Sequence, residues 1–504
     1  MRTVAIWCLA VVLSAVGFPA IAAIPEEEVD QTVDSTVYLL RSAMTPRRDR
    51  RHQSLLLALR HLEDPELKPF FERLVTSRSM ELRIHGILGL AECDAHHRLD
   101  LSRIAELDEA EAQINSVMAA MDNDLLTDQD AKQLLDWEGL DASVKEVVAT
   151  QLVSHGKFED TELLRPALKS DNPGRRSLAA MLLVQLGDTA AMDELTKLIA
   201  TDDRTLAPVR QVMLRSVMRL KLDRAAPWAL AVCRERSIPN RERYMALQVA
   251  LRFSAPGAVD QWRSMYASNP GKAKRIKLAL IALRVAPWVD GSLFQTLVES
   301  DDELIRELGR TGNAIAGSTD VPAAVDRLLA TDNPIVNDWL FFYVRDQADA
   351  ETAKNVLTVW LEYMRQRPPG KLASELPHMV RATQVMFDRD GQWAADTLRS
   401  LCVREDTPEL FVQGVLMGML RCRDHRVTRV VEGLGPFDAN LANDLLLVLK
   451  ARHGAELSES QLRDLAVLVR GGGGLPVSLR VQAGWAFVKR LGRQHQAITE
   501  ALQP

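Results

Sequence analysis

Apolar residues recur at helical spacing along most of the chain, and residues 171–200 show the repeating unit best. Two apolar stripes with the period of an α-helix run through this segment. They comprise Leu178, Leu182 and Leu186, followed by Met192, Leu195 and Ile199. Asn172 followed by Pro173 is typical of a helix start, and Gly187 is typical of a helix end. The pattern predicts two antiparallel helices joined by a short turn.

The same pattern returns along the chain at intervals of about 32 residues. Asn172-Pro173 has counterparts in Asn269-Pro270 and Asn333-Pro334, which lie about three and about five units further on. The segment 224–228, Arg-Ala-Ala-Pro-Trp, is echoed at 284–288 by Arg-Val-Ala-Pro-Trp. We therefore expect an all-α fold, an α-α superhelix (solenoid) of about 14 helical-hairpin repeats.

The segment 170–199, SDNPGRRSLAAMLLVQLGDTAAMDELTKLI, resembles the consensus of HEAT-type repeats. It is most similar to the short repeats of the phycobilisome lyase family, and the resemblance extends over most of residues 50–495. The resemblance implies an armadillo-type superhelix. It identifies an architecture and no activity, because the signature residues of such a repeat are core and cap residues.

Two stretches interrupt the repeat. Residues 367–377 contain three prolines and a glycine, and we predict a hinge there between the repeats of 52–366 and those of 378–504. Gly471 to Gly474 predicts a flexible loop before the last hairpin. A glycine run can cradle a phosphate, but the flanking residues of a phosphate-binding motif are missing. Residues 24–51 are interpreted as an N-terminal cap on the first repeat.

Residues 1–23 have the pattern of a secretory signal peptide. Arg2 supplies the positive charge, Val4 to Phe18 form an uncharged apolar core, and Ala20-Ile21-Ala22 fits the small-x-small cleavage pattern. We expect cleavage near Ala22 or Ala23 and a periplasmic or secreted product. The apolar core is shorter than the roughly 20 residues of a membrane span, and an uncleaved signal anchor is the alternative.

Composition agrees with a globular helical chain. The 504 residues are 47% hydrophobic, 26% charged and 5% aromatic, with a formal net charge of -6. This charge gives no reason to expect a nucleic-acid partner.

Basic residues cluster at Arg47, Arg48, Arg50 and Arg51 and at Lys272, Lys274, Arg275 and Lys277. Solvated helix faces account for them. Alternatively, Arg175-Arg176 and Lys274-Arg275 line one edge of a surface for an acidic or extended partner.

The sequence lacks the common catalytic motifs, since it contains no HExxH, GxSxG, CxxC or CxxCH. The acidic stretch of Asp122, Asp124, Asp128 and Asp130 lacks the turn glycine and the final glutamate of a calcium-binding loop. We interpret it as an interhelical loop in which an Asp or Thr127 caps the next helix. We predict no catalytic residue, no cofactor and no metal, and therefore a non-enzymatic protein.

One group of residues has ligands suited to zinc. It consists of Cys93, His96 and His97, with His85 one or two helical turns upstream. A small thiol packed near a helix end beside two surface histidines explains the same residues without a metal, and this is the interpretation we adopt.

Two further pairs have a structural and a functional interpretation. Cys402 and Cys422 are expected at the ends of successive antiparallel helices, about 18 Å apart, so we predict free thiols. Trp228 and Trp288 occupy equivalent repeat positions, and we interpret them as packing residues. The alternative for these two indoles is an exposed row that binds a ligand.

Solenoids offer a long concave surface, so the expected function is a protein-binding scaffold. Its partner would be another exported protein or peptide, with no nucleic acid and no membrane span after signal cleavage. Two alternatives stay open. One is a lyase-like or chaperone-like solenoid that binds a small ligand, as the family resemblance implies. The other is a structural component of an envelope assembly.

Overall fold

The computed structural model describes residues 24–47, 49–199, 206–317, 319–422, 424–491 and 498. All regular secondary structure in these residues is helical, which confirms the predicted all-α class. Helices that follow one another in sequence pack together. The predicted signal peptide, residues 1–23, lies outside the described residues.

The chain forms two compact units. Unit 1 comprises the residues up to Leu99 together with those from Arg365 onward, and unit 2 comprises Asp100–Met364.

The first four helices precede Leu99, and they are α1 (Glu26–Met44), α2 (Arg50–Arg60), α3 (Lys68–Val75) and α4 (Met80–Glu92). The next group is α5 (Leu101–Ala105), α6 (Ala110–Asp122), α7 (Asp128–Asp136), α8 (Ala142–Ser154), α9 (Thr161–Leu164), α10 (Pro173–Leu186), α11 (Met192–Lys197), α12 (Ala207–Leu220), α13 (Ala226–Arg234) and α14 (Asn240–Arg252). Then follow α15 (Ala258–Ala267), α16 (Lys272–Arg284), α17 (Ser292–Val298), α18 (Glu303–Ala316), α19 (Val321–Leu329), α20 (Ile335–Asp346) and α21 (Ala350–Arg365).

The last helices are α22 (Pro369–Cys402), α23 (Glu409–Met419), α24 (Val427–Val431), α25 (Asn440–Arg452), α26 (Glu459–Arg470) and α27 (Val477–Leu491). Short 3-10 turns lie at Pro65–Leu67, Arg165–Lys169, Thr189–Ala191, Asp223–Ala225, Ala286–Trp288 and Gly472–Gly474.

The hairpin predicted from residues 171–200 forms as expected. The Asn172 side chain accepts hydrogen bonds from the backbone N–H groups of Gly174 and Arg175 and so caps α10. The helix ends at Gly187, whose φ of 103° lies in the left-handed region that favours glycine. Leu182 is fully buried in the middle of α10. The local signals therefore fix both ends of the helix and the face that it buries.

Unit 2 contains a layer of helices in which each member packs on the next. This first-helix series consists of α6, α8, α10, α12, α14, α16 and α18. Its members begin about 32 residues apart, which is the period of the sequence pattern. Shorter helical segments connect them. The series matters for function because both cavities described below open on its helices.

Arginines near the starts of these helices bind the end of the preceding segment. Arg176 donates to the carbonyl oxygen of Ser170 at 2.5 Å, and Arg275 donates to that of Asn269 at 2.9 Å. Arg306 repeats the contact with Ser300 at 3.0 Å. The last carbonyl groups of a helix have no backbone hydrogen-bond donors, and these arginine side chains donate to them instead. Arg176 and Arg275 therefore hold consecutive segments together.

Unit 1 joins the beginning and the end of the chain. Helix α2 packs on α27, and α1 packs on both α26 and α27. The indole Nε1 of Trp485 donates to Oδ2 of Asp64 at 2.8 Å, and Lys489 pairs with the same oxygen at 2.6 Å. The sequence predicts that residues 24–51 cap the first repeat. In the structure they also cover the last hairpin, which a local sequence pattern cannot reveal.

The segment 367–377 separates two helices at its start and is helical over the rest. Helix α21 ends at Arg365, and α22 begins at Pro369 and continues through Pro377. The chain therefore leaves the helical conformation before Pro369, as the sequence predicts, whereas Pro377 lies inside a helix. Pro369 occupies the first turn, where a proline is tolerated. The backbone leaves the helical conformation later, at Asp390, with φ -161° and ψ 98°. Asp390 caps the second part of the helix by accepting hydrogen bonds from the N–H groups of Gln392 and Trp393.

Candidate functional site

An apolar groove of about 760 Å³ opens on α6, α8, α10 and α12 of unit 2. Its apolar lining consists of Ile114, Met118, Met121, Val147, Leu178, Val212, Met213 and Leu220. Met118 is 40% exposed and Val212 is 51% exposed, although both side chains are apolar. Contiguous exposed apolar surface of this kind marks interaction sites. Methionine adapts its shape to irregular partners, which suits a docking surface.

One charged pair in the groove is already neutralised. Arg175 donates from Nε to Oε2 of Glu146 at 2.7 Å and from Nη2 to Oε1 at 2.6 Å. Glu146 lies on α8 and is buried, and this bidentate contact raises the pKa of Arg175. The pair fixes α10 on α8 and leaves no free charge at this point of the groove.

A second ion pair involves Arg219, which also lines the groove. Arg219, in the last turn of α12, donates from Nη1 to Oδ1 of Asp122, in the last turn of α6, at 2.7 Å. Both side chains are about half exposed, so the pair is readily exchanged for another partner. It brings together two helices of the first-helix series that are not consecutive.

Arg215 is the remaining cation of the groove. It is exposed on α12, one turn before Arg219, and in the described part of the chain it makes no hydrogen bond or ion pair. The groove therefore presents an apolar floor with a free positive charge at its edge. Such a surface favours a ligand that combines apolar groups with a negative charge.

The residues considered for zinc do not come together. Cys93 is buried at the end of α4, whereas His96 and His97 are exposed in the following loop. His85 lies within α4, where burial and the charge of Arg60 lower its pKa to about 4. Among the described residues, no group of three or more His, Cys, Asp or Glu side chains could hold a metal ion.

The acidic stretch 122–130 is used in helix capping and ion pairing. Thr127 and Asp130 form a reciprocal capping box at the start of α7. Asp128 contacts His155 and Lys157, each at 2.6 Å, and these two partners lower its pKa. Since Asp122 pairs with Arg219, the carboxylates of Asp122, Asp128 and Asp130 have separate partners.

The cysteines and tryptophans occupy structural positions. Cys402 and Cys422 are both buried free thiols, as predicted. Trp228 is buried in α13 and donates from Nε1 to the carbonyl oxygen of Leu195 at 2.8 Å, which confirms its packing role. Trp288 is half-buried in a 3-10 turn, with the guanidinium of Arg252 over its ring. The two indoles therefore have different environments and do not form one ligand-binding row.

Two binding features were considered from the sequence and not adopted, namely a phosphate-binding glycine run and an arginine edge. Gly471 ends α26 in the left-handed conformation, and Gly472–Gly474 form a 3-10 turn. Of the proposed arginine edge, Arg175, Arg176 and Arg275 are engaged in contacts inside unit 2. The sequence did not reveal Met118 and Val212, because an apolar residue on a helix is normally read as part of its core face.

No helix in the described residues is both long enough and apolar enough to cross a membrane. Comparison of the chain with models of protein families gives no match. Comparison with curated proteins gives no match either.

Proposed function

We propose that the chain is a non-enzymatic binding scaffold that holds a segment of another exported protein in the groove of unit 2. The observation that carries this proposal is the exposed apolar surface around Met118 and Val212, with Arg215 at its edge. In this proposal the architecture is a HEAT-type α-solenoid. The first-helix series supports it, since helices about 32 residues apart pack side by side.

The ligand is a polypeptide segment with apolar side chains on one face and an acidic side chain beside them. Burying Met118 and Val212 removes apolar surface from water, at about 25 cal/mol per Å² of buried area. Arg215 attracts the acidic side chain because it has no partner of its own among the described residues. An acidic peptide matches the charge of Arg215, since Arg175 is neutralised by Glu146 and Arg219 pairs with Asp122.

A binding role also agrees with the chemistry of the thiols. Cys93, Cys233, Cys402 and Cys422 are buried. Burial raises the pKa of Cys93 and of Cys402 to about 12 and that of Cys233 to about 11. A thiol in this state is a poor nucleophile at neutral pH. We therefore assign no nucleophilic step to these thiols.

Export is the second element of the proposal, and it rests on residues 1–23. An apolar core flanked by Arg2 and by Ala20-Ile21-Ala22 is the pattern that a signal peptidase recognises. N-terminal sequencing of protein from the native host tests it. A chain that begins after Ala22 or Ala23 supports export, whereas a cytoplasmic chain that begins at Met1 refutes it.

The docking groove is tested by site-specific photo-cross-linking. A benzophenone amino acid is placed at Val212 in the groove, and at Val403 as an equally exposed apolar control in unit 1. We expect the Val212 probe to capture one defined segment of an exported protein and the Val403 probe not to capture it. A peptide of that segment should bind about tenfold more weakly to Arg215→Glu, because the substitution places two negative charges together.

Two outcomes contradict the proposal. One is identical protein capture from Val212 and Val403. The other is a small molecule that co-purifies in stoichiometric amount and occupies the groove while no protein is captured. The second outcome favours the alternative of a lyase-like or chaperone-like solenoid.

A further inference from the structure

A second cavity, of about 430 Å³, opens on α14 and α16 and at the start of α20 in unit 2. Three of its lining residues are charged, and all three are cations: Arg241, Lys277 and Arg284. Its other lining side chains are neutral, and they include Tyr244, Ile276 and Ile335. A cavity of this size lies in the range of small-molecule sites, roughly 300–1,000 Å³. Its charge therefore determines which class of ligand it favours.

Arg284 is the most informative residue of this cavity. Its side chain is half-buried at the end of α16, and its Nε is enclosed without a hydrogen-bond partner in the described part of the chain. Burial lowers the pKa of this guanidinium, and the charge of Asp338 opposes the effect only in part. An enclosed N–H donor without an acceptor is unfavourable, and so is the partial burial of the cation that carries it. A bound anion would remove this cost.

The other two cations, Arg241 and Lys277, add to the positive electrostatic potential of the cavity. Arg241 and Lys277 are exposed, and neither makes an ion pair within the described residues. Nζ of Lys277 lies 5.0 Å from the centre of the Tyr244 ring, which holds the ammonium group beside the cavity. Three cations thus converge on one space whose lining contains no carboxylate.

We propose that this cavity is an anion-binding site for a small organic oxyanion, a carboxylate or phosphate group on a short apolar body. The planar guanidinium of Arg284 offers two parallel N–H donors to such a group. Lys277 and Arg241 balance its charge from the entrance. The apolar body packs against Tyr244, Ile276 and Ile335. This site is separate from the groove of the proposed function, because the two cavities share no lining residue.

Calorimetric titration at low salt tests the assignment on the full mature chain. The probes are hexanoate, phenyl phosphate and inorganic phosphate, with hexanol as the neutral control. We expect one of the two organic anions to bind with a stoichiometry of one and hexanol not to bind. The comparison of hexanoate with phenyl phosphate separates a carboxylate site from a phosphate site. Binding should weaken as the salt concentration rises.

Substitutions of the lining cations test whether the anion binds in this cavity. Arg284→Gln should weaken the binding of the organic anion by about tenfold or more, and Lys277→Ala should weaken it less. Arg284→Gln should also raise the melting temperature of the free protein, because it removes a half-buried charge whose burial Asp338 offsets only in part. The control Arg236→Gln removes an exposed cation that lines neither cavity, and it should bind the anion as the wild type does. Weaker binding by Arg215→Gln with unchanged binding by Arg284→Gln would place the anion in the docking groove instead.

Three results overturn the proposal: no binding of any anion, equal binding of hexanol and hexanoate, or equal anion binding by wild type and Arg284→Gln. Because Lys277 is exposed, Lys277→Ala keeps the proposal testable even if Arg284→Gln fails to fold. An unchanged affinity in Lys277→Ala together with an unchanged salt dependence would also count against the site.

Discussion

Arg210 on α12 donates from Nε to Oε2 of Glu242 on α14 at 2.7 Å, and the two side chains are only 3% and 2% exposed. The same guanidinium reaches the carbonyl oxygen of Leu198 at 3.1 Å. Unit 1 contains an equivalent contact between Arg60 and Glu92, both buried. Each pair connects one hairpin to the next. Pairs of this kind fix the register of neighbouring helices because a shifted register would bury an unpaired charge.

The first prediction concerns the pair of Arg210 and Glu242. Glu242→Leu leaves the guanidinium buried without its carboxylate and should lower the free energy of unfolding by about 3–5 kcal/mol. The double variant Arg210→Met/Glu242→Leu should recover much of that loss. Urea unfolding followed by circular dichroism measures both. Asp260→Asn, which breaks an exposed pair with Arg263, should change stability by less than about 1 kcal/mol.

The second prediction concerns close packing at Gly89 in α4. A Cβ at this position would overlap the buried ring of Phe71. Gly89→Ala should therefore lower the free energy of unfolding by about 1–3 kcal/mol. Gly370 in α22 has open space around it, and Gly370→Ala should stabilise the protein by up to about 1 kcal/mol. If the two variants unfolded alike, α3 would not pack on α4 as described.

The third prediction concerns pH. Burial, with the charge of Arg452, lowers the pKa of His453 to about 4, from an ordinary value of 6.5. The unfolded chain therefore binds a proton between pH 6.5 and 4 that the folded chain does not bind, and stability falls as the pH drops through this window. In His453→Gln the fall in urea midpoint from about pH 7 to about pH 5 should be smaller. An equal fall of the urea midpoint in the wild type and in His453→Gln would contradict this assignment.

The fourth prediction concerns the thiols. In the folded protein at about pH 8, Cys93, Cys233, Cys402 and Cys422 should react slowly with a thiol-specific disulfide reagent. They are buried, and their pKa values are raised by that burial. After unfolding in guanidinium all four should react rapidly. A thiol that reacts rapidly before unfolding would show that its surroundings open in solution.

The local signals of the sequence determined the helices and their ends. Asn172, Gly187 and Thr127 act on backbone groups close to them in the chain, so their roles are readable without knowledge of the fold. The period of about 32 residues likewise predicted the spacing of the first-helix series. The exception was Pro377, where the expected helix break does not occur and the backbone departs from helix at Asp390 instead.

Only the tertiary structure decided which separate segments meet. Arg175 and Glu146 lie 29 positions apart, and Trp485 and Asp64 lie 421 positions apart. Such contacts depend on how whole helices pack against one another. A pattern with a period of about 3.6 residues shows which face of a helix is buried but not which helix it packs against. For the same reason the sequence predicted charged helix starts, whereas the fold decided that Arg176 binds a backbone carbonyl and that Arg284 lines a cavity with its Nε unbonded.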